Sequence, residues 1–292
     1  MSDAKSPRTV AVGILKGGMG KSTTSINTAR ELAERGNDVL LIDLDPNGHT
    51  TTGLGFGDEF YADEDLGDVI LETGSLTPSD IIIETDFDVD ILPSNNNIES
   101  VEHQLATETM GFANLRTEVV DPLLGDVYDY VLIDCPASRG KLNDSALYAA
   151  GNVLIPIRPE SGALSGVEKT VKRLIAPARK HFDVSILSVV PTDFTQRIDH
   201  NRSERRLLEK LVGRDHLREL LPAHAYVEPE FFDAVDAGEW DDNLPKPGIR
   251  HRAAINDSIE YNMPLRDYAP DCDQLERYDE LAQIVETGEV DR

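Results

Sequence analysis

Seven residues near the start of the chain, Lys16-Gly17-Gly18-Met19-Gly20-Lys21-Ser22, bring together what a polypeptide needs to hold a polyphosphate. Glycines let successive backbone N–H groups turn toward one anion, Lys21 carries an ammonium able to reach the β and γ oxygens, and the Ser22 hydroxyl is a hard ligand for Mg²⁺. The fully spaced loop G-x-x-x-x-G-K-[ST] requires glycine at position 15, where this chain has Leu15 and sets Lys16 at the front of the loop instead. Lys16 then reads either as a second cation for the phosphates or as a solvent-exposed loop lysine. Two carboxylate motifs follow. Asp43-Leu44-Asp45-Pro46 comes directly after the apolar run VLLI, and Asp134-Cys135-Pro136 directly after YVLI. Carboxylates at the C-terminal ends of parallel strands stand on the ligand-binding edge of an open α/β sheet; the plainer alternative is that Asp43 and Asp45 cap a turn. Cys135 reads as a small buried residue rather than a reactive thiol.

These groups need a scaffold, and the sequence supplies one. Apolar runs at 8–15, 39–42, 89–92, 130–133, 153–157 and 186–190 are short, rich in β-branched residues and apolar throughout, as central parallel strands covered on both faces should be. Helical patterns lie between them at 21–35 (stopped by Gly36), 114–124, 145–149, 163–182 and 202–221. The alternation predicts an α/β fold with a doubly wound, mostly parallel sheet in a single domain spanning 1–292. The stretch 228–248 is acidic and rich in Pro and Gly, and reads as a surface insertion.

KGGMGKSTT, with its second lysine, resembles the deviant Walker A motif of the ParA/MinD superfamily. The resemblance implies a P-loop ATPase fold, ATP and Mg²⁺ as cofactors, hydrolysis to ADP and phosphate, and an ATP-dependent homodimer in which Lys16 crosses to the nucleotide held by the partner subunit. It gives Lys16, Lys21 and Asp45 catalytic roles, with Asp45 positioning the attacking water. It further implies nucleotide contacts from Lys16, Gly17, Gly18, Met19, Gly20, Lys21, Ser22 and Thr23, and magnesium held through Ser22, Asp43 and Asp134. The sequence departs from the family where Asn47-Gly48-His49 stands in place of Gln-Gly-Asn; Asn47 is one methylene shorter, which implies slower or differently regulated hydrolysis. Pro191-Thr192-Asp193-Phe194 through Arg197 is similar to the family's base-contacting segment, so Thr192 and Asp193 are expected beside the base. Leu244-Pro245-Lys246, Ile249-Arg250 and Asn262-Met263-Pro264-Leu265 are similar to its C-terminal stretch, in a register lengthened by an extra Pro and Gly, which implies Pro245 as a further base contact.

Bulk properties bound the remaining classes. The chain has 54 acidic and 28 basic residues, a net charge of −26, which reads as a solvated acidic coat of the haloarchaeal kind suited to a salty cytoplasm, the alternative being an acidic surface made for a basic partner. No apolar stretch approaches a membrane span, and the acidic last residues argue against a lipid-binding tail, so a cytoplasmic protein, nucleoid-associated if it engages DNA, is expected. Two distant cysteines suit neither a disulfide framework nor the shared cluster of iron-protein reductases. The acids are unevenly spread: 169–180 holds five bases and no acid. Partition ATPases of the resembled family bind DNA without sequence preference as ATP dimers and respond to a ParB-type stimulating partner. The cations this implies for DNA are Lys169, Lys172, Arg173, Arg202, Arg205, Arg206, Arg250 and Arg252, with Arg179 and Lys180 beside them; a solvated helix face is the alternative. A MinD-like positioning ATPase that does not bind DNA and a metabolic P-loop enzyme are the other readings.

Overall fold

The computed structural model describes residues 6–195, 201–239 and 245–291. Six strands form one sheet: β1 (Arg8–Val12), β2 (Val39–Asp43), β3 (Asp90–Leu92), β4 (Tyr130–Asp134), β5 (Asn152–Ile157) and β6 (Ser185–Pro191). Their order is β3-β2-β4-β1-β5-β6, and every neighbouring pair is parallel. All six apolar runs are therefore strands. The all-apolar pattern has a direct cause: successive side chains of a strand point to opposite faces, and both faces are covered. Ala11, Leu40, Ile42, Val131 and Ile133 enter one core cluster; Val10, Val12, Leu41, Tyr130 and Leu132 enter the other.

The direction in which successive strands are added reverses around β1 and β4. The chain leaves β1 to form β2 on the far side of β4, then returns from β4 to form β5 on the far side of β1. The crevice at such a reversal lies outside the carboxyl ends of the strands. β1 ends there in the glycine loop, which feeds helix α1 (Lys21–Glu34). The C-terminal segment closes over α1. The Leu265 amide donates to Asn27 Oδ1 at 2.8 Å, and the Arg266 guanidinium donates to both carboxylate oxygens of buried Glu31 at 2.9 and 2.5 Å.

Some helical expectations needed adjustment. The 202–221 segment breaks at Gly213 into helices Arg202–Val212 and Asp215–Arg218. Within the expected surface insertion, Pro229–Ala237 is a helix, and Phe232 and Val235 are buried in the core. Pro229 sits at its start, where a missing N–H costs nothing. Gly238 ends it at φ 69°, the left-handed C-terminal position glycine fills best. Two apolar residues three apart outweigh the surrounding acids, because they present one stripe to the core. Expected residues Arg197 and Leu244 lie outside the described residues.

Candidate functional site

The loop between β1 and α1 is shaped by its glycines. Gly18 and Gly20 have φ of 74° and 83°, which residues with a Cβ rarely adopt, and a Cβ on Gly17 or Gly18 would project into space with no atom within 4 Å. The N-terminus of a helix of 14 residues opens beneath this space, directing unpaired N–H groups and the positive end of its dipole toward an anion. Met19 is fully buried in the core, so it anchors the loop by its side chain and offers only backbone to a ligand.

Lys21 is buried, with Nζ 3.6 Å from Asp45 Oδ2. Asp45 is itself held in place. Its Oδ1 accepts from the Asn47 backbone and side-chain amides at 3.0 and 2.7 Å, and its carbonyl accepts from Ser94 Oγ at 2.9 Å. The shorter Asn47 thus serves as a brace for Asp45 in this chain.

Asp43 and Asp134 are register partners at the ends of β2 and β4, and both are completely buried. Burial raises both carboxyl pKa values, and for Asp43 the neighbouring Asp134 charge adds to the rise. Lys21 and hydroxyl donors oppose the shift at Asp134. The Ser22 hydroxyl is one of these donors. Ser25 Oγ and Thr50 Oγ1 donate to its two oxygens at 3.4 and 2.7 Å. Asp43 is occupied differently: Oδ2 accepts from the Thr51 amide and hydroxyl at 2.8 Å each, and Oδ1 from the Asp45 amide at 3.0 Å. Asp43, expected among the metal ligands, here organises the turn that carries Asp45.

The donor set fits Mg²⁺. Ser22 and Asp134 are hard oxygen donors, and the two buried like charges would be relieved by a divalent cation. Among the described residues no group of three His, Cys, Asp or Glu forms a metal cage; Mg²⁺ commonly takes one or two protein oxygens and completes its shell with phosphate and water. Cys135 is buried, and burial raises its thiol pKa, so it is an inert packing residue as expected.

A cavity of about 490 Å³ lies above the loop, lined by Gly17 to Thr23, Asp45, Asn47, His49 and Arg158 among others. Beside it, a recess is lined by Thr192, Asp193, Ile249, Arg250, His251, Arg252, Asn256 and Tyr278. Thr192 and Asp193 thus line this recess. Pro245 lines neither space, and Ile249–Arg252 form the recess wall, because Ile249 and His251 pair by backbone with Pro191 and Phe194 at 2.9 and 2.8 Å.

Lys16 lies at the rim. Its Nζ donates to Ser161 O at 3.0 Å and to Glu160 Oε2 at 3.3 Å, within its own chain. Glu160 is half exposed, and pairs of this kind contribute about 0–1 kcal/mol, so Lys16 can leave it for a stronger anion. Of the cations expected at DNA, three are engaged elsewhere. Arg205 is held by Glu209 and Asp236, Arg252 by Asp273, and Arg250 is buried at 7 % exposure. Lys169, Lys172, Arg173, Arg202 and Arg206 are exposed and form no ion pair with another described residue. They sit on the helices at 163–178 and 202–212, and Glu168 on the first pairs at 2.8 Å with Arg214, just past the end of the second.

Residues 7–186 match a family model described as an AAA domain. Over 289 residues the chain is 29% identical to the chromosome partitioning protein ParA of Caulobacter vibrioides, covering 98% of this chain and 96% of that one. It is 31% identical to the sporulation initiation inhibitor protein Soj of Bacillus subtilis over 179 residues, 61% of this chain and 68% of that one. The chain belongs to the ParA/MinD family. Among solved structures, a Mycobacterium smegmatis cobyrinic acid a,c-diamide synthase with bound ADP and magnesium aligns with TM-score 0.66 at 28% identity, covering 83% of this chain and 99% of that one. ParA/MinD membership agrees with the parallel sheet and with the glycine loop at its switch point. It covers a group of partition and positioning ATPases, and among the described residues no helix is long and apolar enough to cross a membrane.

Proposed function

We propose that this protein is a Mg-ATP-dependent positioning ATPase, one domain throughout, that dimerises around ATP, hydrolyses it to ADP and phosphate, and positions DNA or another cytoplasmic cargo. The observation that carries this reading is the buried Lys21–Asp45 pair beneath the glycine loop, 3.6 Å apart and adjoining the Ser22–Asp134 contact. Four functions then occupy one small volume: phosphate contact from the loop amides and Lys21, metal binding from Ser22 and Asp134, water positioning from Asp45, and support of Asp45 by Asp43 and Asn47. The metal supplies charge neutralisation at the phosphates and a fixed orientation for them. The chain's own groups do the rest. Lys21 neutralises Asp45 in the absence of nucleotide; a triphosphate competes for the same ammonium, leaving the Asp45 carboxylate free to accept a hydrogen bond from water. Lys16 exchanges its weak pair with Glu160 for the nucleotide of a second protomer, so that ATP is both substrate and the link between subunits. A stimulating partner of ParB type would then act on a slow intrinsic cycle.

Replacing Asp45 with alanine should lower Mg-dependent ATP turnover by about 100-fold, the scale of a positioned proton-accepting group, while ATP binding measured by calorimetry stays within a few-fold of wild type. Unchanged turnover would remove Asp45 from the chemistry and with it the hydrolytic part of the reading.

The five exposed cations on the two neighbouring helices, which form no ion pair with another described residue, support DNA as the surface engaged by the ATP dimer. Counterion release gives a log–log salt slope of roughly −4.5 for each protomer whose five cations all contact phosphates. A fluorescence titration of non-specific duplex across a KCl series should show this slope with ATP and no binding with ADP. Absence of ATP-dependent binding at every salt concentration would instead favour a positioning ATPase that does not use DNA.

A further inference from the structure

Arg158 follows directly on β5, the strand between the one that delivers the glycine loop and the one that delivers Thr192 and Asp193. It therefore emerges between the two halves of the site. Only Gly20, Thr23 and Arg158 line both the cavity above the loop and the recess beside it, within the residues described. The backbone is close: a Cβ built on Gly20 would lie 3.7 Å from Arg158 Nε and 3.2 Å from Thr192 Oγ1.

The hydrogen bonding of Arg158 is incomplete. Nε is buried without a hydrogen-bond partner, and the guanidinium donates to no other described residue. Among the described residues its one ion-pair partner is Asp193, with Oδ2 3.5 Å from Nε, beyond a good hydrogen bond. Asp193 spends its other oxygen on His251 Nδ1 at 2.7 Å and sits in the left-handed region at φ 60°. Holding a buried N–H donor unsatisfied in a folded protein costs about 1–3 kcal/mol, and arginine's rigid fork matches phosphate oxygens two at a time. With the side chain 28% exposed, the rest of the fork has access to the cavity.

We infer that Arg158 is a nucleotide-binding residue that grips the phosphate nearest the sugar, at the joint between the phosphate loop and the base recess. The inference rests on the nucleotide reading of this site and adds to it a cation supplied in cis by the far side of the sheet.

A simpler role would be as counter-ion to Asp193, and a double-mutant cycle separates the two. ADP and AMP affinities are measured by calorimetry with Mg²⁺ in a fixed KCl buffer for the wild type, Arg158→Gln, Arg158→Lys, Asp193→Asn and the double variant. A charge-assisted phosphate contact predicts that Arg158→Gln weakens both nucleotides by about 10- to 100-fold, that it does so equally in the Asp193→Asn background, and that Arg158→Lys recovers part of the loss. If the effect of Arg158→Gln disappears in the Asp193→Asn background, or if Arg158→Gln binds as wild type does, the assignment is overturned while the nucleotide site stands. If the wild type itself binds neither nucleotide, the site reading falls and the assignment with it. A Lys variant that binds like wild type beside a weakened Gln variant shows that the chain has folded and that charge is what was lost.

Discussion

Replacing Lys21 with alanine is expected to reduce ATP affinity by roughly 100-fold and turnover by roughly 1,000-fold or more, since the lost group is a buried cation whose charge-assisted contacts are worth about 1.5–3 kcal/mol each. The side chain is nearly inaccessible and faces Asp45 at 3.6 Å. In the nucleotide-free protein the substitution also strands the Asp45 carboxylate in a buried position with, among the described residues, the Asn47 donors as its remaining side-chain partners, so some loss of thermal stability should accompany the loss of binding. Lys21→Arg controls for this: it keeps the charge beside Asp45 but cannot place one compact ammonium among phosphate oxygens. Calorimetric titration with ATP and Mg²⁺ and thermal melts of the two nucleotide-free variants check both effects. Wild-type affinity in Lys21→Ala would mean that the loop does not hold the triphosphate.

The second large effect is expected at Lys16. Among the described residues the polar contacts of its side chain are the pair with half-exposed Glu160 and the carbonyl of Ser161, so Lys16→Ala should leave stability within about 1 kcal/mol of wild type, the scale of a partly exposed ion pair. Monomer nucleotide binding should persist within a few-fold. ATP-dependent dimerisation, followed by sedimentation velocity, should vanish, and turnover should fall by about 1,000-fold, the lower end of what a cation supplied in trans contributes to phosphoryl transfer. The contrast between the two lysines is the informative result. Loss of Lys21 removes binding, whereas loss of Lys16 spares binding and removes assembly. A Lys16→Ala protein that dimerises normally with ATP would leave this residue an ordinary loop lysine.

Much of this site was legible in the sequence because its determinants are local. Gly18 and Gly20 at positive φ, the lysine and serine behind them, and two apolar runs each ending in an aspartate are short-range patterns, and the sheet brings Asp43 and Asp134 into register because both runs are central strands. What escaped depends on partners far away in the chain. Charge runs cannot reveal that Arg205 is held by Asp236 or Arg252 by Asp273. Pro245 was assigned from a motif with altered spacing, while the recess wall is set by backbone pairing of Ile249 and His251 against the end of β6. Helix Pro229–Ala237 was hidden by its acids and prolines, although Phe232 and Val235 three residues apart were a readable signal. Arg158 carries no motif at all. Its significance comes from the sheet order, which sets β5 between β1 and β6.

The central claim is that the loop at 16–22 holds a triphosphate and that its leading lysine serves the opposite protomer. Crystals of the hydrolysis-impaired Asp45→Ala protein grown with ATP and Mg²⁺ test this most directly. The expected result is a face-to-face pair with ATP in each loop and Lys16 Nζ within hydrogen-bonding distance of the partner's nucleotide, its contact with Glu160 of its own chain broken. An ATP-loaded pair in which Lys16 still rests on its own Glu160 and Ser161, or loops without nucleotide, would contradict it.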